Sequence, residues 1–151
     1  RYSTDFSLWD TFRTPTPLLA LLYPHLMDDQ LRSLLAMADD GGYVPRWPLG
    51  QGYTGGMVGD SAVLVFADAY AKGVEVDVEA AYAALRRTAM GPTAEGSMYG
   101  GRRGIVPYTP RGWIAPDAPG PAGPAPPAFA YAPSALARLP HARGPTRAAP
   151  A

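Results

Sequence analysis

The 151-residue chain has no cysteine, which excludes disulfide staples and thiolate chemistry. Histidine is scarce as well. His25 and His141 stand alone, and neither has the ligand spacing of a metal site. No apolar run approaches the ~20 residues needed to span a bilayer. Formal charge is zero, so there is no electrostatic case for a nucleic acid or an anionic membrane as partner. That zero hides an asymmetry. All thirteen carboxylates lie at or before Asp117 beside ten Lys/Arg, a net charge of −3, whereas Arg138, Arg143 and Arg147 stand alone afterwards. No Ser/His/Asp or Cys/His arrangement is present. Arg1 stands first with no charged-then-apolar leader before it, and the chain is expected not to begin at a native start.

What remains reads as one mainly α domain with a biased tail. A short helix is expected around Leu8–Arg13, interrupted by Pro15, with a continuation capped by Thr16 that opens on Pro17 and stops before Pro24. A second helix near Asp28–Asp39 sets Leu31, Leu34, Leu35 and Ala38 on one stripe and ends at Gly41. The third, Ser61–Lys72, has Asp60 as its N-cap, a stripe of Ala62, Val65, Phe66 and Ala69, and Gly73 after its end. The fourth follows Asp77, with Val78, Tyr82, Leu85 and Ala89 on one face, and stops at Gly91-Pro92.

The long stretch Gly41–Gly59 has no clear secondary structure, and loops of that length are usually functional or disordered. Tyr43, Arg46, Trp47 and Tyr53 make it too aromatic for a disordered linker, so it reads as an ordered, site-forming loop. After Asp117 the composition changes abruptly. Residues 118–151 hold nine of the eighteen prolines and twelve alanines, and such a segment buries too little surface to offset chain entropy. The expected division is therefore residues 1–117 as folded domain and 118–151 as a disordered or non-native tail. One short helix is expected in that tail, at Pro133–Leu139.

Three motifs are weighed for chemistry. Gly50-Gln-Gly52-Tyr-Thr-Gly55 has dinucleotide-loop spacing but the wrong context, because Pro45 and Pro48 argue against a preceding strand and no helix opens at its end. In Trp9-Asp10-Thr11-Phe12-Arg13, Asp10 and Arg13 are three apart. The bland reading is a surface ion pair over a core tryptophan. The functional reading gives Asp10 to hydroxyl groups, Arg13 to hydroxyls or to Asp10, and the Trp9 face to a sugar ring. Arg46 and Trp47 similarly suit either a loop anchor or a site wall, and Asp60 either a helix cap or a residue at the mouth of a site.

Four blocks taken together resemble glycoside hydrolase family 92. They are Tyr2-Ser-Thr-Asp-Phe-Ser-Leu-Trp-Asp-Thr-Phe-Arg13, Gly42-Tyr-Val-Pro-Arg-Trp-Pro-Leu49, Gly52-Tyr-Thr-Gly-Gly-Met-Val-Gly-Asp60 and Ala67-Asp-Ala-Tyr-Ala-Lys-Gly73, and their order and spacing agree over about Tyr2 to Ala115. The resemblance implies part of an (α/α)6 toroid built of helical hairpins, from an inverting, calcium-dependent exo-α-mannosidase acting on α-mannoside glycans. It implies that Asp10 and the Arg46-Trp47 loop belong to the wall of the mannose subsite, supported by Arg13 and Asp60; with Trp9 on the sugar face, these six are the candidate substrate-binding residues. The family's catalytic acid, its base and its calcium ligands lie downstream of every matched block, so this stretch is expected to be inactive alone. A secreted or periplasmic parent enzyme is implied. Thr16 departs from the pattern, since members often carry His there. Two alternatives stay open: a small non-catalytic helical carbohydrate-binding module, and another toroidal glycosidase family.

Overall fold

The computed structural model describes residues 2–92, 97–102, 104–112 and 133–139. Its elements run α1 (Leu8–Thr11), α2 (Pro15–Leu22), α3 (Pro24–Gly41), β1 (Pro48–Leu49), β2 (Gly52–Tyr53), α4 (Ser61–Ala71), α5 (Val78–Met90) and α6 (Ile105–Arg111). The fold is mainly helical, as the apolar periodicity requires.

Prolines set the helix starts. Pro15 and Pro24 occupy first-turn positions of α2 and α3, where a missing N–H costs nothing because those donors have no intrahelical acceptor. Helix α3 therefore begins four residues before the expected Asp28, and α2 opens at Pro15 rather than after a Thr16 cap; Thr16 is buried inside it. Gly42, in the left-handed conformation at φ 83°, closes α3. Helix α5 begins after Asp77 as expected, and Asp77 caps it, with Oδ1 accepting the Ala80 N–H at 3.0 Å. Its buried positions are Ala81, Ala84, Leu85, Thr88 and Ala89, so the inward stripe is turned from the expected one and Val78 and Tyr82 are half-buried.

The helices pack as neighbouring pairs, α2 against α3 and α4, and α3 and α4 each against α5. Helix α4 is the centre. Ala62, Val63, Val65, Phe66 and Ala69 form its buried face, and Leu8, Met27, Leu31, Leu34 and Leu85 belong to the same core. From the Pro/Ala-rich segment only 133–139 is described. Residues 133–136 form a short helix within the 133–139 stretch that allowed one, and Leu136 and Leu139 join the same core; the rest of the 118–151 tail lies outside the described residues.

Two elements were not expected. The Gly41–Gly59 loop contains a small antiparallel hairpin, Pro48 opposite Tyr53 and Leu49 opposite Gly52, turning through Gly50 at φ 59°. Pro48 is compatible because it is the first strand residue, where proline is tolerated. Helix α6 forms despite Pro107 and Pro110, between the left-handed Gly104 and Gly112. No helix among the described residues is long and apolar enough to cross a membrane.

Candidate functional site

The first candidate residues sit on α1. Asp10 is exposed and Trp9 half-buried, because only Leu8 of this one-turn helix reaches the core. The expected Asp10–Arg13 ion pair is not the arrangement found. Asp10 Oδ2 accepts a hydrogen bond from the Ser7 hydroxyl, while Arg13 Nη1 donates to the Trp9 carbonyl at 2.9 Å. The Arg13 guanidinium lies 4.6 Å from the Trp9 ring centroid and 4.1 Å from that of Phe12. Guanidinium groups stack on such faces for about 0.5–1 kcal/mol at exposed sites, which competes well with a solvated carboxylate three residues away.

The second pair, Arg46 and Trp47, is half-buried and is brought to α1 by the backbone: Leu8 N–H donates to the Arg46 carbonyl at 3.2 Å. The loop carrying them is well tied. Thr54 N–H and the Thr54 hydroxyl both donate to the Trp47 carbonyl at 3.1 Å, and Arg46 Nη2 donates to the Gly55 carbonyl at 3.4 Å. Gly56 lies against the Trp47 ring, where an added Cβ would stand 3.2 Å from a ring carbon. At the hairpin, Gly50 N–H donates to Asp5 Oδ1 at 2.7 Å, and the Thr4 hydroxyl donates to the Gly50 carbonyl at 3.2 Å. The opening block of the sequence thus runs along the loop, and the structure brings the first two candidate groups together.

Asp60 differs from expectation. It precedes α4, yet its side chain makes no cap hydrogen bond. It is 3 % exposed and turned to Arg102, itself 2 % exposed, whose Nε donates to Asp60 Oδ2 at 2.5 Å. Oδ1 accepts no hydrogen bond among the described residues. Burial pushes the carboxyl up from its ordinary range, while the charge of Arg102 and then that of Arg46 pull it back down. Arg102 was not found by sequence reasoning, because its partner is forty-two residues away. The signal comes from the structure: Asp60 is buried, and a buried carboxylate requires a cation.

The hairpin, the end of α3 and Tyr99 line a cleft of about 160 Å³ whose walls include Tyr2, Asp40, Gln51, Tyr53 and Tyr99. Tyr53 anchors it. Its hydroxyl is directed at the carbonyls of Met37 (2.6 Å) and Tyr43 (2.5 Å), and its ring meets Tyr99 edge-on at 4.9 Å. Burial raises the Tyr53 phenol far above its ordinary 10.0. A raised folded-state pKa leaves stability whole below the unfolded value and removes it as pH climbs above about 10. Tyr53→Phe is therefore expected to cost about 1 kcal/mol near neutrality and to flatten the alkaline decline, checked by urea denaturation at both pH values.

Among the described residues, no group of three His, Cys, Asp or Glu is placed to hold a metal ion. These residues do not fit a calcium site.

With this geometry in hand, the model of the glycosyl hydrolase family 92 catalytic domain matches residues 1–137. The chain belongs to glycosyl hydrolase family 92. An inverting mannosidase of the family from Bacteroides thetaiotaomicron superposes with a TM-score of 0.70 at 32% identity, over 77% of this chain and 16% of that one. A family 92 α-mannosidase of the same organism, solved in complex with mannoimidazole, gives 0.57 at 38% identity, over 59% of this chain and 12% of that one. No curated protein matches. The chain thus spans about one sixth or less of the solved family 92 structures it resembles, and its helical pairs are part of the family's helical toroid. The family match runs past the composition break at Asp117 and takes in Leu136 of the core.

Proposed function

We propose that this chain is part of the catalytic domain of an inverting, calcium-dependent exo-α-mannosidase, and that it supplies one wall of the subsite for a terminal α-linked mannose. The observation that carries this reading is the joining of Trp9-Asp10 to Arg46-Trp47 through the Leu8–Arg46 backbone hydrogen bond, within a family 92 chain. A hexose has an apolar face and a rim of hydroxyls. Half-buried Trp9 and Trp47 suit the face, and exposed Asp10 and half-buried Arg46 suit the rim as acceptor and donor. Arg13 and Asp60 act behind the wall, the first on the Trp9 ring and the second through Arg102.

Inversion needs a carboxylic acid at the leaving oxygen and a carboxylate on water, about 6.5–9.5 Å apart. In this reading both lie outside the chain, as do the calcium ligands. The 151-residue chain is therefore expected to release no phenol from an aryl α-mannoside in the presence of calcium; turnover above a matched blank would overturn its inactivity. One observation favours a second reading, a helical module that binds mannosides without cutting them: the described residues share one continuous core. That reading requires saturable binding of methyl α-mannoside by the isolated chain, weakened about tenfold or more by Asp10→Ala on losing a charge-assisted hydrogen bond.

A further inference from the structure

Arg102 is buried, and it is linked to the Gly41–Gly59 loop directly at Asp60 and through Thr88 at Val44. By its backbone, Arg102 N–H donates to the Thr88 carbonyl at 2.9 Å. The Thr88 hydroxyl accepts the Val44 N–H at 2.8 Å and donates to the Ala84 carbonyl at 2.8 Å, so α5 holds the chain two residues before Arg46. By its side chain, Arg102 grips Asp60, the residue that follows the loop, through Nε at 2.5 Å and through Nη2 on the same oxygen. The Nε hydrogen bond is charge-assisted, and Nη2 stands beside the same oxygen as part of the ion pair.

The residue before it explains why this strap lies so close. A Cβ on Gly101 would stand 2.6 Å from the Thr88 carbonyl oxygen, 3.1 Å from that of Gly91 and 3.1 Å from the Tyr43 ring. Any side chain there would lift the strap and lengthen the Arg102–Thr88 hydrogen bond. Between the two held ends, the Arg46 carbonyl receives the Leu8 N–H and so meets α1.

We propose that Arg102 is the positioning residue of the Arg46–Trp47 loop: it fixes the loop's two ends against α5 and α4, and thereby keeps Arg46 and Trp47 beside Trp9 and Asp10. This rests on the reading of those four residues as a sugar-binding wall. The role is mechanical, transmitted through Thr88–Val44 on one side and Asp60 on the other, with no contact to substrate required of Arg102 itself. A salt bridge that served only stability would leave the loop where it is in any variant that still folds.

The test is two-dimensional NMR of the full 151-residue chain. In Arg102→Lys and, independently, Gly101→Ala, the Trp47 indole N–H and the Leu8 and Thr54 amides are expected to shift, while Leu31 and Leu34 of α3 keep wild-type positions. Shifts confined to Asp60, Ser61 and Thr88 would overturn the proposal. Wild-type hydrogen exchange tests the same pinning even if both variants fail to fold. Leu8, Val44, Thr54 and Arg102 amides should open as one unit, with one shared dependence on denaturant; unrelated rates at these four would also sink it. Titration with methyl α-mannoside is the separate arm. If Trp47 fails to respond to the sugar while the shifts and exchange hold, the sugar-wall reading falls and the pinning by Arg102 stands.

Discussion

Arg102→Met is expected to lower the unfolding free energy by about 3–5 kcal/mol, because it strands Asp60 as an uncompensated charge in a site that is 3 % exposed. An exposed pair such as Arg32–Asp28 belongs to the other regime. Its arginine side chain is 62 % exposed, and breaking it should cost under about 1 kcal/mol. The distinction is desolvation rather than attraction. Both members of the buried pair have already lost their water, so removing one leaves the other without either. The double variant Asp60→Leu/Arg102→Met removes both charges and should regain most of the loss, since apolar replacement of a whole buried pair is often neutral or better.

The dependence on pH has a definite sign. Burial already pushes the Asp60 carboxyl up, and Arg102 is the main charge opposing that rise, so its loss sends the carboxyl higher still. A carboxyl whose folded pKa exceeds its unfolded value holds its proton more tightly when folded. The deficit of Arg102→Met relative to wild type is then complete above the folded pKa and shrinks as pH falls through it toward 3.8. Urea denaturation of both proteins at about pH 7 and about pH 5 checks this. A single-variant loss below about 1 kcal/mol, or a deficit that grows on acidification, would count against a buried pair.

The sequence made the long helices legible and concealed what ties them together. Helices α3, α4 and α5 follow from residues three and four apart, and Leu31, Leu34, Val65, Phe66 and Leu85 are all in the core. The boundaries moved for a physical reason. Pro24 looks like a stop in sequence, yet at a first-turn position it is a good start, and only the packing of Met27 against the core decides between these. Pro48 misled in the same way, since it excludes the interior of a sheet but not the first residue of a strand.

Side-chain partners were harder to see than elements. Spacing placed Arg13 near Asp10, but a guanidinium three residues along a helix also has Trp9 and Phe12 within reach, and the rings won. Arg102 left no local signature because the contact that defines it closes a long loop. Only the burial of Asp60, seen in the structure, points to a required cation, and it does not say which one. The candidate residues were therefore legible in the sequence as a set, and the buried pair behind their loop was not.

Phe66→Ala is the companion prediction, and it acts on the core rather than on the pair. Phe66 is the largest fully buried side chain among the described residues and sits on α4, where Val63 and Val65 are buried beside it and Leu8, Leu34 and Leu85 lie in the same cluster. Truncation removes the transfer energy of the ring and leaves a cavity that helices on several sides cannot all close at once, so the expected loss is about 3–5 kcal/mol. A domain of this size has about 5–15 kcal/mol in total, and such a loss places the variant at the edge of unfolding at 37 °C. Phe66→Leu should cost markedly less, because most of the volume stays filled. The measurement is the pair of urea midpoints for the 151-residue chain, with tryptophan fluorescence as probe. Because α4 begins directly after Asp60, loosening it should also carry to Trp47, whose emission would shift in Phe66→Ala before the global transition. Equal midpoints for Phe66→Ala and wild type would mean that the helices do not close on one core in solution, and that the chain needs the rest of the toroid to fold.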